Sequence, residues 1–152
     1  MASVPDIITD NEGKRYELVI DEDNGFLFFA VEDAGRQVGL VSCREDGNSR
    51  WRIEDFTIED AAIIPPSVLR RLLRLKPRKE NYRRRGIGGA LMASVIAEAR
   101  RRGVRCLRGS VVESDLNGNP RLLEWYERLG FRVVEPEVGD IAGAVAVIQL
   151  EL

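Results

Sequence analysis

The chain is 152 residues long, with 44% apolar and 32% charged residues, a composition typical of a soluble, folded protein. This length suits about one domain with its own hydrophobic core, so we predict a single domain over residues 1–152. No apolar run approaches the roughly 20 residues that a membrane-spanning helix needs. The first residues contain neither a basic nor an apolar region, which favours a cytosolic protein with no membrane partner.

The chain contains no histidine. This absence excludes Ser-His and Cys-His catalytic pairs, imidazole bases and histidine-containing zinc sites. The two cysteines, Cys43 and Cys106, lie in separate strand-like stretches without C-x-x-C spacing, which favours buried, unpaired thiols over a disulfide or a nucleophile. Proton chemistry must therefore use carboxylates, tyrosine, lysine, cysteine or water, and no metal is expected.

Charge is spread unevenly along the chain, although the net charge is only −2. Residues 70–85 hold nine Lys and Arg residues against one acidic residue, Glu80, which gives this segment a net charge of +8. The remainder of the chain then carries about −10. The chain therefore combines one strongly basic segment with an acidic body.

The first third of the chain has the pattern of an antiparallel meander. Residues 1–13 show little pattern and are expected to be a flexible lead-in. Hydrophobic alternation then predicts four strands, the first two joined at Asn24-Gly25, a dipeptide typical of tight hairpins. These strands cover residues 15–21, 26–32, 37–44 and 50–58.

Residues 59–81 interrupt this pattern and form an inserted segment, in which prolines bracket a short basic helix over 67–75. Apolar residues at every fourth position from Ile87 then predict a helix that ends at Gly103. A strand over 104–112, a helix capped by Asn119, and strands over 131–135 and 144–152 complete the chain. The predicted order is β-β-β-β-(short helix)-α-β-α-β-β in one α/β domain.

The most informative stretch is residues 82–92, Y-R-R-R-G-I-G-G-A-L-M, where an arginine run meets three glycines and a helix begins. Glycines let the backbone approach a ligand, and the first N–H groups of a helix lack internal partners, so this stretch can bind a diphosphate. Leu91 stands where a dinucleotide fingerprint needs its third glycine, and the Gly-Lys-Ser/Thr of a P-loop is missing. The alternative is a glycine-rich helix start without a ligand.

Two motifs resemble the GNAT superfamily of N-acetyltransferases. R-x-x-G-x-G over residues 83–88, running into an apolar helix, resembles the family's acyl-CoA-binding loop. Asn119, Tyr126 and Gly130-Phe131 resemble its N-x-x-A-x-x-x-Y-x-x-x-G-F pattern, with Leu122 in place of the usual small residue. The resemblance covers about residues 37–152 and implies a GNAT-like fold, a mixed, mostly antiparallel central sheet flanked by helices.

The resemblance implies acetyl-CoA as co-substrate. Backbone N–H groups of residues 84–90 would bind the diphosphate, helped by Arg83 or Arg84. Arg85 and residues 70–79 would meet the 3′-phosphate, or would form only a solvated face. A backbone N–H near residues 56–58 would polarise the thioester carbonyl. The implied cofactor-binding residues are Phe56, Thr57, Ile58, Arg83, Arg84, Arg85, Gly86, Ile87, Gly88, Gly89, Ala90 and Asn119, of which Asn119 is alternatively only a helix cap.

Glu54 and Tyr126 are the implied catalytic residues. Residues 53–58 are similar to the Leu-Glu-Asp segment of spermidine/spermine acetyltransferases, in which the Glu is the base, so Glu54 would deprotonate the amine. Strand alternation places Glu54 and Asp55 on opposite faces unless a bulge intervenes. Tyr126, a phenol with an ordinary pKa of about 10, would protonate the leaving thiolate. The alternatives are a surface carboxylate for Glu54 and a core side chain for Tyr126.

The sequence departs from the family pattern at two places. The two helices that usually separate the family's first two strands, and that form one wall of the acceptor site, are replaced by a tight turn. The segment between the fourth strand and the glycine loop is also much longer than usual. We hypothesise that residues 59–81 replace the missing wall, in which case their deletion would abolish amine acetylation and spare CoA binding. Equal loss of both would contradict this hypothesis.

These features predict an N-acetyltransferase that transfers an acetyl group from acetyl-CoA to a primary amine of a small molecule or protein by direct attack, without a covalent enzyme intermediate or metal. Two rival functions are a non-catalytic acyl-CoA sensor and a nucleic-acid-binding module that uses residues 70–85. Apart from Tyr82, that segment lacks aromatic residues for base stacking, which argues against nucleic acid as a partner. A homodimer through the last strand is a further expectation from the family.

Overall fold

The structure, a computed structural model, describes residues 7–58, 62–64, 78–80 and 86–152. No helix in this part of the chain is long and apolar enough to cross a membrane. The elements in chain order are β1 (Ile7–Thr9), β2 (Arg15–Asp23), β3 (Phe26–Asp33), β4 (Arg36–Glu45), β5 (Arg50–Ile58), β6 (Ala62–Ile64), β7 (Arg78–Glu80), α1 (Ile87–Arg101), β8 (Cys106–Val112), α2 (Glu113–Gly118), α3 (Leu122–Arg128), β9 (Arg132–Val134) and β10 (Ala144–Glu151).

Eight of these strands form one mixed sheet in the order β1-β2-β3-β4-β5-β8-β10-β9. Its neighbouring strands are antiparallel except for β5 and β8, which run parallel. The β2–β3 hairpin turns at Asn24 and Gly25, whose φ angles of 50° and 84° suit a two-residue turn and leave no room for helices between the strands. The predicted fold class, an α/β fold with a mostly antiparallel sheet, is confirmed.

The hydrophobic core lies between one face of the sheet and α1, which contacts β1, β3, β4 and β5. Alternate residues of the strands point to this face because side chains alternate along a strand. Every fourth or third residue of α1 points back at them, as helix periodicity predicts. The buried residues include Tyr16, Leu18, Leu27, Phe29, Val31, Val41, Cys43, Trp51 and Ile53 from the sheet, and Ile87, Leu91, Met92, Val95 and Ala99 from α1.

The C-terminal end of α1 is held by Glu98, which is buried although it is charged. Its carboxylate accepts hydrogen bonds from the guanidinium groups of Arg101 and Arg102, and these bonds lower the pKa of Glu98 to about 2. Arg102 also lies 3.0 Å from Glu22 and so ties the helix to β2. Gly103, with a φ of 77°, ends the helix in the left-handed conformation that the sequence predicts.

Two local predictions are wrong, and one short helix was not predicted. Residues 7–9 are not a flexible lead-in but the strand β1, because Ile8 is buried beside β2. A short helix, α2, follows β8, where the side chain of Asp115 accepts the N–H of Val112. The following helix begins at Leu122 and not next to Asn119, whose Oδ1 accepts the N–H of Arg121 at 3.2 Å.

Within the inserted segment, β6 and β7 pair with each other as a separate two-stranded sheet. The sequence analysis did not anticipate this pairing. The basic helix expected over residues 67–75 lies outside the described residues, as does most of the basic segment 70–85.

Candidate functional site

The central feature of the sheet is a gap between β5 and β8. Both strands are described in full, and their parallel pairing spans only four rungs, from Arg50 and Cys106 to Ile53 and Gly109. Beyond the last rung, residues 55–57 of β5 pair with β4 alone among the described strands, Glu54 has no strand partner, and residues 110–112 of β8 pair with β10. We call this gap the splay. Along residues 54–57, its β5 edge presents backbone N–H and C=O groups without a strand partner, which a ligand can bind as a neighbouring strand would.

The N-terminus of α1 lies beside the β5 edge of the splay, where Gly88 is close to Phe56. Gly86 precedes the helix with a φ of 79° and a ψ of 5°, a left-handed conformation that favours glycine. Ala90 donates its N–H to Gly86 at 3.1 Å, so the N–H groups of Ile87, Gly88 and Gly89 remain without helical partners. The first turn contains no acidic residue. These donors and the helix dipole suit an anion such as a diphosphate.

Gly88 and Gly89 differ sharply in their surroundings. A Cβ on Gly88 would lie 3.3 Å from Trp125 Cζ2 and 3.4 Å from Phe56 Cζ, whereas a Cβ on Gly89 would have nothing within 4 Å. The rings of Phe56 and Trp125 are themselves 5.4 Å apart. Gly88 is thus the point where α1 meets both β5 and α3, and Gly89 faces open space.

Glu54 occupies a β-bulge at the start of the splay. Ser42 pairs with Asp55 and Cys43 pairs with Ile53, so Glu54 has no partner on β4. Glu54 Oε1 lies 3.0 Å from Arg44 Nε, while Asp55 Oδ2 accepts a hydrogen bond from Ser42 at 3.3 Å. Because Ser42 and Arg44 share one face of β4, the bulge turns both carboxylates toward that face.

One oxygen of Glu54 is buried and accepts no hydrogen bond from the described residues. Oε1 is buried without a hydrogen-bond partner, even though Arg44 Nε is within ion-pair distance, so the Arg44 N–H does not point at this oxygen. The side chain as a whole is 26% exposed. Glu54 is therefore a partly exposed carboxylate held beside Arg44, which makes it a candidate general base.

Tyr126 lies on α3 and is buried beside Trp125 and Phe131, with ring centroids 5.0 and 5.4 Å away. Its hydroxyl makes no hydrogen bond within the described part of the chain. Burial first, and then the charges of Asp115 and Cys43, raise the pKa of this phenol. The hydroxyl therefore stays protonated at neutral pH and can donate.

Cys43 is the thiol nearest to this chemistry. It is fully buried, and burial together with the charge of Glu54 raises the pKa of its thiol to about 12. Because a thiol must ionise to act as a nucleophile, Cys43 is inert. Both cysteines are free, as the sequence predicts.

The remaining predicted residues are placed unevenly around the splay. Phe56 and Ile58 are half-buried and Thr57 is exposed, all on the β5 edge. Asn119 is exposed between α2 and α3, where its side chain accepts only the Arg121 N–H. Arg83, Arg84 and Arg85 lie outside the described residues. Across the described residues, no group of three or more His, Cys, Asp or Glu side chains is arranged to hold a metal.

The sequence analysis missed two residues that border the site. Arg44 lies against Glu54, and Asn11 lies against Gly86, where Asn11 Oδ1 is 2.3 Å from the position that a Cβ would occupy. Asn11 belongs to a turn fixed by Asp10, whose Oδ1 accepts the N–H groups of Glu12 and Lys14 at 2.9 Å. Both contacts depend on tertiary structure and carry no motif.

Solved structures with the same fold share little sequence with this chain. The GNAT domain of S. lividans PAT has a TM-score of 0.65 at 11% identity, with 96% of each chain covered. The PaiA N-acetyltransferase of Thermoplasma acidophilum, solved with coenzyme A, has a TM-score of 0.57 at 13% identity. That alignment covers 84% of this chain but only 62% of the T. acidophilum protein. A GNAT acetyltransferase from Elizabethkingia anophelis, solved with acetyl-CoA bound, has a TM-score of 0.57 at 15% identity, with 84% and 77% covered.

Sequence comparison gives the family itself. No curated protein sequence matches the chain. The model of the acetyltransferase (GNAT) family, however, matches residues 4–131, most of the chain. This match agrees with the splayed parallel strands, the glycine-led helix and the fold of the solved neighbours. The chain therefore belongs to the GNAT acetyltransferase family.

Proposed function

We propose that the protein transfers the acetyl group of acetyl-CoA to a primary amine by direct attack. The observation that carries this proposal is the splay between β5 and β8, which lies next to the unpartnered N–H groups of α1. Two of the solved neighbours hold coenzyme A or acetyl-CoA. In this chain the diphosphate would bind residues 87–89, and the pantetheine arm would pair with the free edge of β5.

The splay supplies two of the requirements for acyl transfer. Holding both substrates in one cleft makes the attack effectively unimolecular. Because residues 54–57 of β5 have no partner strand on this side, alternate N–H groups among them point into the gap. One of them would donate to the thioester oxygen and stabilise the negative charge that develops there.

Glu54 and Tyr126 would move the protons. Glu54, whose side chain is partly exposed, accepts a proton from the ammonium, directly or through water, so that the neutral amine can attack the carbonyl carbon. The new N–C bond forms as the C–S bond breaks, and the amine nitrogen releases its second proton to water. Tyr126 donates its proton to the departing thiolate, which is a stronger base than the thioester sulfur it replaces. Cys43 takes no covalent part, because its thiol stays protonated.

We also propose the class of the amine acceptor and a homodimeric assembly. A small-molecule amine and a protein amine both suit direct attack, and the acidic body of the chain favours a cationic acceptor. A homodimer through β10 has a free edge to use, since β9 pairs only with Val147, Ile148 and Gln149.

A non-catalytic acyl-CoA sensor would keep the splay and the helix N-terminus. The partly exposed Glu54 carboxylate at the start of the splay favours the enzyme, because a sensor has no use for a base.

A thermal-shift titration with acetyl-CoA, CoA and a short DNA duplex tests the proposal. A ligand that binds only the folded protein stabilises it by about 2.7 kcal/mol at a hundredfold excess over Kd. We expect stabilisation by both CoA species at low and moderate salt, and none by DNA. A salt-sensitive response to DNA without a response to CoA would contradict the proposal and make the basic segment 70–85 the functional site. Binding of CoA without turnover of any amine would favour the sensor.

A further inference from the structure

Two arginines lie side by side on β5 and β8, just before the point where the splay opens. Arg52 of β5 and Arg108 of β8 form the third of the four parallel rungs, directly before the last rung of Ile53 and Gly109. Partners on a rung share a face, and neighbouring strands are only about 4.8 Å apart. Arg108 is buried and the Arg52 side chain is 19% exposed, so water screens these like charges poorly. On its own, this rung would push the two strands apart.

Asp140 neutralises this pair from a third element. Its Oδ1 accepts Arg108 Nε at 3.0 Å and Arg52 Nη1 at 3.2 Å, and its Oδ2 accepts Arg108 Nη2 at 2.7 Å. Oδ2 also accepts the N–H of Glu137 at 2.7 Å. The side chain is only 2% exposed. Arg108 and its neighbours lower the pKa of Asp140, so the carboxylate is ionised throughout the neutral range. One carboxylate thus bridges both strands at a rung that lies two residues before Glu54 on β5.

Asp46 makes a similar cluster without bridging the strands. Its Oδ2 accepts Arg50 Nε at 2.8 Å and Arg52 Nε at 3.0 Å. Asp46, Arg50 and Arg52 all belong to the β4–β5 hairpin, and none of these bonds reaches β8. Both aspartates therefore accept a hydrogen bond from Arg52, but only Asp140 also accepts one from Arg108 on β8.

We propose that Asp140 is a positioning residue that fixes the point at which β5 and β8 separate, and with it the width of the splay and the place of Glu54. Only the expected effect on acetyl-CoA binding rests on the proposed function. Asp140 touches no substrate; it acts through Arg52 and Arg108. Without the charge of Asp140, repulsion between Arg52 and Arg108 would weaken the pairing of Ile53 with Gly109. The splay would then extend further along β5 and β8, toward Arg50 and Cys106.

The experiment compares Asp140→Asn with Asp46→Asn by hydrogen–deuterium exchange without ligand and by acetyl-CoA titration calorimetry. In Asp140→Asn we expect faster exchange confined to residues 50–58 and 106–112, and about a tenfold rise in the Kd for acetyl-CoA, since misplacement of about 1 Å has effects of this size or larger. In Asp46→Asn we expect hydrogen–deuterium exchange in the β8 peptides to stay near wild type. The Kd for acetyl-CoA should also stay near wild type. Asp140→Glu, which keeps the charge, should restore most of the protection in β8.

Equal effects of the two Asn variants, or faster exchange spread over the whole sheet, would overturn the inference, because Asp140 would then only stabilise the fold. If Asp140→Asn does not fold, the comparison uses Asp140→Leu combined with Arg108→Met, which removes the buried pair without leaving an unpaired charge. Because this variant also removes the repulsion between Arg52 and Arg108, exchange at residues 50–58 and 106–112 should stay near wild type, and faster exchange confined to these residues would overturn the inference. The exchange readout needs no ligand, so failure of wild type to bind CoA would contradict the proposed function separately.

Discussion

Replacing Tyr126 with phenylalanine should lower turnover about 100-fold and leave acetyl-CoA affinity and thermal stability nearly unchanged. The phenol is buried and its pKa is raised, so it carries a proton to give at neutral pH. Its hydroxyl bonds to no group in the described part of the chain, so removing it leaves no buried partner unsatisfied. Steady-state kinetics with an accepted amine, acetyl-CoA calorimetry and thermal unfolding measure the three quantities.

Glu54→Gln is the matched comparison, since it changes the other proton-transfer group. This variant should also lose turnover at neutral pH, but its activity should recover as the pH rises, because the amine then arrives already deprotonated. Turnover of Tyr126→Phe within a few-fold of wild type would show that Tyr126 is only a core side chain. A large loss of stability in that variant would point to an unrecognised bond of its hydroxyl.

The second large effect is expected at Gly88. Gly88→Val should abolish acetyl-CoA binding, because the new Cβ would lie 3.3 Å from Trp125 and 3.4 Å from Phe56, and two further methyl groups would have to fit beside them. Both rings belong to rigid elements that border the splay, so they can yield only by moving α3 or β5. Overpacking of this kind destabilises a protein by about 1–3 kcal/mol. Acetyl-CoA calorimetry and thermal unfolding report the two consequences.

Gly89→Ala is the control one residue further along the same helix turn. A Cβ there meets nothing within 4 Å and the backbone N–H is kept, so acetyl-CoA binding should persist. Alanine should also stabilise α1 by about 0.5–1 kcal/mol, because it reduces the conformational entropy of the unfolded chain. Equal loss of binding in both variants would mean that the first turn of α1 tolerates no side chain at all. The packing of Gly88 would then not be the cause.

The features that the sequence predicts are those set by local residues. Asn24-Gly25 determines its turn through its own φ preferences, and Gly86 likewise marks the start of α1. The apolar residues at every fourth position from Ile87 to Ala99 place the buried face of the helix. For these elements the physical cause lies within a few residues, so it can be read from the sequence.

The features that the sequence does not predict are set by pairing between distant segments. The bulge at Glu54 depends on the register of β5 against β4, which puts Cys43 opposite Ile53. The sequence analysis allowed for a bulge but had no means to place it. The bridge from Arg52 to Asp140 joins residues 88 positions apart, and neither residue belongs to a motif. β1 was missed because a three-residue strand has too short a pattern to recognise.

The single parallel junction among the described strands also bears on the order of folding. The strands from β2 to β5 are joined by tight turns, so their pairing closes short loops and can form early. The β5–β8 junction must instead bring Arg50 to Cys106 after the whole intervening chain has been made. A nascent chain that has emerged only as far as α1 therefore has a meander but no cleft. We expect the ability to bind a ligand to arise in the last step of folding, when the two halves of the sheet join.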